Sequence, residues 1–481
     1  MNSTIRRTAL VVGALITALM INANLIAVVF GNDYKNRDGN ARLIIAEYDH
    51  ERGPIVVGSR PIARSVPTTG RLKYQRVYRD ALLYAPATGY YSLYGATGME
   101  KAANALLSGT DDRLFVDRLN TLFSGRQPRG GSVTLTLNPA AQQAAYDGLD
   151  GQRGAVVALD PRTGAILAMA SVPSYDPNLL ASHDPAKVSA TYDRLVADPA
   201  DPLLNRAIQQ TYPPGSLFKV VVAAAALSSG TFTPQTKVPG PAVLDLPQTT
   251  ADLRNYDGLP CLGGTLTLAQ ALAISCNTAF AHVGLQLGGD AIRAQAEKFG
   301  FNHAFQVPLA VVPSIFPPDL NPPQTAQSAI GQFDVRATTL QMAMVAAGVA
   351  DNGLVMNPYL VAEERAPDLS TLSVAQPSVF SRAVTPEVAA QLNAMMVGVV
   401  TNGTGANAAI PGISVAGKTG TAETGPSAPP HVWFMAFAPA DNPRVAVAVI
   451  VENGGRLGND ATGGAVAAPI ARSVMEAVLG S

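Results

Sequence analysis

The sequence predicts a mixed α/β (α+β) chain with one N-terminal membrane helix, a small polar domain and a larger domain built on one sheet. Three observations support this prediction. An apolar stretch lies close to the N-terminus, and the composition changes at about residue 131. Beyond that point, strand-like runs at both ends of the chain enclose helix-like runs, so one sheet must be assembled from distant parts of the sequence. The length of 481 residues suits two or three domains.

Composition indicates a folded chain with a large core and excludes several classes of function. Hydrophobic residues make up 47% and charged residues 14%, which is typical of a globular protein. The 34 basic and 35 acidic residues leave a net charge of −1, and there is no basic run, so we predict no binding to nucleic acid. The five histidines are scattered and no metal-binding motif occurs, so we predict neither a metal site nor a cofactor.

The N-terminus predicts an uncleaved signal anchor over residues 1–31. Arg6 and Arg7 precede an apolar stretch over residues 8–30, which as a helix is about 34 Å long and can cross a bilayer core of about 30 Å. The positive-inside rule places the N-terminus in the cytoplasm and the rest of the chain outside the cell membrane. A cleaved signal peptide is the alternative, but its apolar part would be shorter and would end in a small-x-small site, which we do not find.

An extracytoplasmic location gives the two cysteines a specific meaning. Cys261 and Cys276 would lie in an oxidising compartment, where a pair of cysteines tends to form a disulfide. Closing a loop of about 15 residues stabilises a fold by about 3 kcal/mol in the chain-entropy model. Two buried, inert thiols are the alternative. We predict the disulfide.

Residues 32–131 predict a small membrane-proximal domain. The stretch "LIIAEYDHERGPIVVGSRPIARS", residues 43–65, predicts two strands around Arg52-Gly53-Pro54. The stretch "TGMEKAANALLSG", residues 97–109, predicts a helix that ends at Gly109. Its apolar residues recur at helical spacing and are Met99, Ala102, Ala103, Leu106 and Leu107. The Gly- and Arg-rich "SGRQPRGG" predicts a linker to the larger domain.

Residues 132–481 predict the larger domain. Its first part contains a strand, a helix opened by Asn138 and Pro139, and a hairpin that turns at residues 160–164. Alanine- and leucine-rich helices follow from about Ser216 to Phe299. The C-terminal part predicts three strands and a closing helix, which lie in "ISVAGKTGTAE", "HVWFMAFAPA", "PRVAVAVIVENGG" and "GGAVAAPIARSVMEAVLG".

Three short motifs occur in order within this domain, and each is weak when taken alone. They are S-x-x-K at Ser216 and Lys219, S-x-N at Ser275 and Asn277, and K-T-G at Lys418, Thr419 and Gly420. The first can be a serine N-cap with a lysine whose stem reaches solvent. The second can be a turn between helices with a capping asparagine. The third can be the approach to any hairpin.

At residues three apart on a helix, Ser216 and Lys219 share a face, so the amine can reach the hydroxyl. A serine becomes a nucleophile only when a base takes its proton, and a lysine is a base only when it is neutral. Burial and a neighbouring cation lower the pKa of a lysine, and the apolar run around Lys219 together with Lys418 supplies both conditions. The pair therefore predicts an activated nucleophile.

The three motifs together resemble the signature of class B penicillin-binding proteins, which are monofunctional peptidoglycan D,D-transpeptidases. The resemblance covers nearly the whole chain beyond the anchor. The stretches "GAVVALDPRTGAILAMASVPSYDPN" and "LNRAIQQTYPPGSLFK" are similar to the family's opening hairpin and its approach to the nucleophile. Arg52-Gly53 and "TGMEKAANALLSG" resemble its membrane-proximal motifs, and the compact first domain most resembles actinobacterial members. Two positions depart from the family pattern: Cys276 stands where Ser or Asp is common, and a glycine usual after Gly331-Gln332 is missing.

The resemblance implies a penicillin-binding, serine β-lactamase-like domain with a central antiparallel sheet flanked by helices, preceded by a dimerisation or pedestal domain. It implies that Ser216 is the nucleophile, Lys219 its base, and Ser275 a proton relay between Lys219 and Lys418. It implies an oxyanion hole made by the backbone N–H groups of Ser216 and Thr421. The substrate would be held by Asn277, Lys418, Thr419, Gly420 and Thr421.

The resemblance also implies partners and a location. These are peptidoglycan stem peptides ending in D-Ala-D-Ala, an amine acceptor, β-lactam antibiotics and a glycosyltransferase complex of cell-wall synthesis. The location is the cell membrane, with a single pass and an extracytoplasmic catalytic domain, and the process is cell-wall biogenesis, which includes cell shape and division. A D,D-carboxypeptidase or a serine β-lactamase would use the same groups but let water finish the reaction. A catalytically idle β-lactam-binding scaffold is the alternative from another class.

Overall fold

A computed structural model of the chain describes residues 3–30, 48–124, 127, 129–425 and 428–480. The N-terminal helix runs over Ser3–Asn24 and continues as a π-helical turn over Leu25–Val29. None of its residues is buried against the rest of the chain. It is the one helix in the described ranges that is long and apolar enough to cross a membrane.

The strands are numbered in chain order. They are β1 Ile55–Val57, β2 Arg60–Pro67, β3 Tyr74–Tyr78, β4 Tyr91–Ser92, β5 Gly95–Ala96, β6 Ser132–Leu135, β7 Gly154–Leu159, β8 Ile166–Val172, β9 Lys237–Pro239, β10 Val243–Asp245, β11 Asp252–Arg254, β12 Thr265–Thr267, β13 Leu354–Met356, β14 Val361–Arg365, β15 Thr371–Val374, β16 Val379–Arg382, β17 Ala416–Ala422, β18 His431–Ala438 and β19 Val445–Val451.

The α-helices are numbered in the same way. They are α1 Ser3–Asn24, α2 Ala81–Thr88, α3 Gly98–Ala102, α4 Asn104–Ser108, α5 Phe115–Ser124, α6 Pro139–Leu149, α7 Pro177–Leu180, α8 Pro185–Ala197, α9 Lys219–Ser228, α10 Leu268–Ala273, α11 Asn277–Leu287, α12 Gly289–Lys298, α13 Pro322–Ser328, α14 Thr339–Ala350, α15 Pro386–Asn402 and α16 Ala468–Leu479.

The membrane-proximal part is built on a six-stranded sheet in the order β15-β14-β6-β1-β2-β3. Strands β1 and β6 pair in parallel, and the other neighbours pair antiparallel. Strand β6 follows the predicted domain boundary at residues 131 and 132, and β14 and β15 come from much later in the chain. The sheet therefore joins the two predicted domains through continuous backbone hydrogen bonding.

Two expectations for this part need correction or restriction. The predicted helix over residues 97–109 is broken into α3 and α4, because Ala103 leaves the helical conformation at φ −101° and ψ 20°. Ala102 is consequently exposed, whereas Met99, Ala103, Leu106 and Leu107 are buried. The first of the two strands predicted within residues 43–65 falls largely on residues 43–47, and part of the predicted linker falls on residues 125, 126 and 128. These positions lie outside the described residues.

A buried ion cluster holds this sheet to helix α3. The Glu100 carboxylate accepts from Arg52 Nε at 2.7 Å and from Arg76 Nε at 2.6 Å, and all three side chains are buried. The Tyr78 hydroxyl donates to Glu100 Oε1 at 3.1 Å. Burial alone would raise the pKa of Glu100, but the charges of Arg76 and Arg52 keep this pKa below its ordinary value.

The larger part is built on a five-stranded antiparallel sheet in the order β17-β18-β19-β7-β8. Strands from both ends of the region lie side by side in it, which confirms the predicted central antiparallel sheet. Alternate residues of β18 face opposite sides of the sheet, and each side has its own hydrophobic core. Val432 and Phe434 lie in the core on the first face, and Trp433 and Met435 lie in the core on the second face. Helices α6 and α16 pack on the first face. Helix α14, all of whose residues are buried, packs on the second.

The region between residues 216 and 299 departs from the sequence expectation. Helices α9–α12 lie there as predicted, but the short strands β9–β12 interrupt them over residues 237–267. These strands form two separate two-stranded sheets. The segment is rich in proline and glycine, which break helices and favour turns. This segment, residues 237–267, forms one wall of the candidate active site.

Candidate active site

Ser216 lies in a tight turn that the local sequence requires. Residues Gly215–Phe218 form a 3-10 turn, and helix α9 begins only at Lys219, so Ser216 does not open the helix itself. Gly215 has φ +52°, and a Cβ there would lie 2.7 Å from the carbonyl oxygen of Thr421. Because only glycine tolerates both conditions without strain, the nucleophile turn can approach β17 closely. The Gly215 N–H also donates to the carbonyl of Gly331 at 3.0 Å.

Lys219 is completely buried behind this turn. Its Nζ donates to the Ser275 carbonyl oxygen at 2.6 Å and to Asn277 Oδ1 at 2.7 Å, and lies 3.3 Å from Ser275 Oγ. Among the described residues no hydrogen bond joins Lys219 Nζ to Ser216 Oγ. A neutral amine has two donors and one lone pair. Donation to the two carbonyl-type oxygens therefore leaves the lone pair for a hydroxyl.

Lys418 is the second buried amine, and it reaches the same hydroxyl from β17. Its Nζ donates to Ser275 Oγ at 2.9 Å and to the Thr419 carbonyl at 2.9 Å. Burial lowers the pKa of Lys418 from 10.5 to about 7. Burial and then the charge of Lys418 hold the pKa of Lys219 well below its ordinary value. The pair is therefore arranged so that Lys219 is the neutral member.

Ser275 adopts a left-handed backbone with φ +62°, which is uncommon outside glycine, asparagine and aspartate. Its neighbours explain how this conformation is held. Cys276 is joined by a disulfide to Cys261, in the segment that precedes β12. Asn277 begins helix α11 and its Nδ2 donates to the Arg254 carbonyl at 3.1 Å. Ser275 is thus held by the segment 237–267, through the residues that follow it, as well as by helices α10 and α11 on either side of it.

The K-T-G segment lies along β17, at the edge of the central sheet. Lys418 and Thr419 are buried, and Thr421 is half-buried next to the nucleophile turn. A Cβ on Gly420 would lie 2.4 Å from Leu217 Cδ1, so a larger residue would push the nucleophile turn away from the strand. The sequence-predicted residues Ser216, Lys219, Ser275, Asn277, Lys418, Thr419, Gly420 and Thr421 therefore meet in one place.

Sequence reasoning missed several residues that shape this site. Asn255 Oδ1 accepts from the backbone N–H groups of Asn277 and Thr278, each at 3.1 Å, and so caps helix α11 from a distant loop. Thr404 Oγ1 lies 2.6 Å from Thr419 Oγ1. No short motif marks these residues, because each acts through a contact that only the tertiary structure creates. Within the described residues, no group of three or more His, Cys, Asp or Glu side chains could hold a metal ion.

Known families and structures match both parts of the chain. Residues 154–476 match the family described as penicillin binding protein transpeptidase domain, and residues 52–133 match the penicillin binding protein A dimerisation domain. The chain is 48% identical to peptidoglycan D,D-transpeptidase PbpA of Mycolicibacterium smegmatis, over 100% of this chain and 99% of that protein. It is 46% identical, with the same coverage, to the protein of that name from Mycobacterium tuberculosis.

Solved structures of penicillin-binding protein A from M. tuberculosis share the fold. The ceftriaxone acyl-enzyme complex has a TM-score of 0.87 and 47% identity, and covers 90% of this chain and 100% of that chain. The penicillin G acyl-enzyme complex has a TM-score of 0.85 and 47% identity, with 89% and 100% covered. The match to the transpeptidase family and the near-complete alignment to these relatives agree. The chain therefore belongs to the penicillin-binding protein transpeptidase family, among the relatives of penicillin-binding protein A.

Proposed function

We propose that this chain is a peptidoglycan D,D-transpeptidase that cross-links stem peptides through an acyl-enzyme on Ser216. One observation carries this proposal. The hydroxyl of Ser275 lies between two buried amines, Lys219 at 3.3 Å and Lys418 at 2.9 Å, and the environment makes one of them neutral. A neutral lysine beside a serine in a tight turn is the arrangement that activates a hydroxyl nucleophile.

In the first step, Ser216 Oγ attacks the carbonyl of the penultimate D-alanine of the donor peptide. Neutral Lys219 takes the proton of the Ser216 hydroxyl at the same time. Contacts between a base and its nucleophile often form only in the substrate complex. The oxygen–carbon bond forms, the carbon–nitrogen bond to the terminal D-alanine breaks, and the departing amine needs a proton. Protonated Lys219 can return it through the hydroxyl of Ser275, which would pass its own proton to the leaving nitrogen and take one from Lys219.

The negative charge that develops on the carbonyl oxygen needs two donors. The N–H groups of Ser216 and Thr421 fit this role, because Gly215 and β17 approach so closely that a Cβ on Gly215 would touch the Thr421 carbonyl. Donors fixed before the reaction cost no reorganisation in the transition state, and removing one from such a hole typically costs about 10²–10³ in rate.

Substrate recognition follows from the groups around the nucleophile. Lys418 supplies a cation, and Thr419 and Thr421 supply hydroxyls for the terminal carboxylate of the donor, while Gly420 leaves room for the backbone to approach. Asn277 would hold the peptide amide, as the family resemblance implies. Strand β17 lies at the sheet edge, where an extended peptide can add as a further strand. β-Lactams would acylate Ser216 through the same groups, as the acyl-enzyme structures of the M. tuberculosis relative suggest by analogy.

We further propose a single-pass location with the catalytic domain outside the cell membrane. The long apolar helix α1 and the pair Arg6 and Arg7 support this orientation through the positive-inside rule. We propose residues 1–31, 32–131 and 132–481 as anchor, membrane-proximal domain and transpeptidase domain. A glycosyltransferase of the cell-wall machinery is the further partner that the family resemblance implies.

The experiment that tests the reaction class uses a thioester analogue of acyl-D-alanyl-D-alanine with rising concentrations of an amine acceptor. A transpeptidase gives an aminolysis product that grows at the expense of hydrolysis, and Ser216→Ala gives neither product. Hydrolysis that no amine diverts would indicate a D,D-carboxypeptidase. Neither product from the wild type would indicate a scaffold without activity.

A further inference from the structure

A second buried ion cluster lies behind the nucleophile turn, between residues far apart in the sequence. Glu452 follows the last strand of the sheet, β19, and its Oε1 accepts from Arg206 Nε at 2.8 Å. Its Oε2 lies 3.2 Å from Arg153 Nε. Both the carboxylate and the Arg206 guanidinium are buried. Each oxygen of this carboxylate therefore has an arginine partner.

The remaining partner of this carboxylate is Tyr212, four residues before the nucleophile. The Tyr212 hydroxyl donates to Glu452 Oε1 at 2.8 Å. Burial, together with the charge of Glu452, raises the pKa of Tyr212 well above its ordinary value, so the hydroxyl keeps its proton and donates. The mechanism proposed above uses neither residue.

Tyr212 also contacts the strand that backs the K-T-G segment. Its ring meets His431 and Trp433 edge-on, with centroids 5.2 Å and 5.9 Å away. In the register of the sheet, His431 pairs with Ala422 and Trp433 pairs with Gly420. Trp433 Nε1 in turn donates to the Pro213 carbonyl at 3.0 Å. The segment that leads to the nucleophile is therefore attached to β18 by both a ring and a backbone contact.

The far side of the same segment is held by backbone hydrogen bonds. Tyr212 and Ala337 exchange N–H to carbonyl bonds at 3.0 Å and 2.8 Å. Two consecutive prolines follow Tyr212, so little backbone freedom separates it from Gly215. A displacement of Tyr212 is consequently transmitted to the turn that carries the Ser216 N–H, which lies beside the close approach of Gly215 to Thr421 of β17.

We propose that Glu452, acting through Tyr212, is a positioning residue that seats the nucleophile turn against β17 and so fixes the spacing of the two oxyanion donors. This inference rests on the proposed function, because it assumes an oxyanion hole at Ser216 and Thr421. It assigns Glu452 no proton transfer and no contact with substrate. Its effect is on geometry, to which the rate of acyl transfer is sensitive.

The chain contains a matched control for this proposal. In the membrane-proximal part, Tyr78 donates to Glu100 Oε1 at 3.1 Å, and Glu100 is paired with two arginines. Tyr78→Phe and Tyr212→Phe therefore remove the same group, a buried hydroxyl bonded to an arginine-paired carboxylate. Only Tyr212 is connected to the nucleophile turn. Loss of stability is expected from both variants, and loss of rate from Tyr212→Phe alone.

The experiment follows acylation of the full chain by penicillin G at increasing drug concentrations, which separates the dissociation constant of the first complex from the acylation rate constant. We expect Tyr212→Phe to slow acylation about tenfold, less than full loss of an oxyanion donor, with the dissociation constant unchanged. Hydrolysis of the acyl-enzyme slows with it. The infrared band of the acyl-ester carbonyl moves to higher wavenumber, because the carbonyl is less polarised. Tyr78→Phe leaves all of these values unchanged.

Equal acylation rates for Tyr212→Phe and wild type, or equal losses of acylation rate in the two tyrosine variants, would overturn the inference. Glu452→Gln, if it folds, is expected to match Tyr212→Phe in the position of the carbonyl band. If the proposed function is wrong, the result is different, because no adduct forms on Ser216 in the wild type or in Tyr78→Phe. That outcome would overturn the inference together with the proposed function.

Discussion

Lys219 and Lys418 approach the hydroxyl of Ser275 from two sides, at 3.3 Å and 2.9 Å. Both amines are buried, and no carboxylate of the described residues is a hydrogen-bond partner of either amine. Two positive charges so close together and so poorly solvated repel each other strongly, so one amine gives up its proton. The shared hydroxyl of Ser275 therefore links a neutral base to a cation through two short contacts.

Replacement of Lys219 by methionine removes the base while it fills the same buried space. We expect Lys219→Met to slow acylation of Ser216 by penicillin G by about 10²–10⁴, the range for loss of a general base. Stopped-flow measurement of the acylation rate checks this, with the melting temperature as the control for folding. A folded Lys219→Met protein that acylates at the wild-type rate would rule out Lys219 as the base.

The pH dependence of acylation should be bell-shaped. The rate rises as pH increases through the lowered pKa of Lys219, because only the neutral amine accepts a proton. It falls above pH about 7, where Lys418 loses the charge that receives the substrate carboxylate. Lys418→Arg is the matched control, since a guanidinium stays charged throughout this range. The alkaline limb should disappear in this variant, and an unchanged limb would contradict the assignment to Lys418.

The disulfide between Cys261 and Cys276 ties the wall of the site to the residue that follows Ser275. We expect the double variant Cys261→Ser/Cys276→Ser to lose about 3 kcal/mol in the free energy of unfolding, as expected for a loop of this length. Acylation should also slow, because Ser275 loses a covalent support. Urea unfolding and acylation rates, measured beside reduced wild type, check both effects. Unchanged stability and rate would show that the bridge supports neither the fold nor the site.

Asn255 caps helix α11 from a loop, and its removal leaves two N–H groups, those of Asn277 and Thr278, without an acceptor. We expect Asn255→Ala to lower the free energy of unfolding by about 1–3 kcal/mol and to slow acylation, because Asn277 begins that helix. Asn138→Ala is the control, since Asn138 caps helix α6 through two N–H groups in the same way and lies outside the site. Equal effects of both variants on acylation would contradict a specific role for Asn255.

The central sheet could be predicted because most of its strands are recognisable from their local amino-acid composition. The hairpin strands β7 and β8 and the C-terminal strands β18 and β19 are largely apolar runs with turn residues between them. The candidate catalytic residues could likewise be predicted, because they lie in three short motifs that occur in a fixed order. Both signals are local in sequence, so tertiary contacts were not needed to find them.

Long-range contacts decided what the sequence could not predict. Strand β6 was predicted from its alternating pattern of apolar and polar residues. Its pairing with β1 and β14 could not be predicted, because these strands lie far from β6 in the sequence. The contacts of Asn255 with helix α11 and of Glu452 with Tyr212 join residues far apart in the sequence. The missing glycine after Gly331-Gln332 shows the same limit: Phe333 takes that place with φ +58°, the left-handed conformation that explains why glycine is usual there. The sequence revealed the departure, and the backbone gives its physical reason.

The most direct test of the central claim is the intact mass of the extracytoplasmic part after incubation with benzylpenicillin, followed over hours beside Ser216→Ala. The account predicts one persistent penicilloyl adduct on the wild type, located on the peptide that contains Ser216, and none on the variant. An adduct that persists in Ser216→Ala, or rapid drug hydrolysis without a lasting adduct, would contradict it.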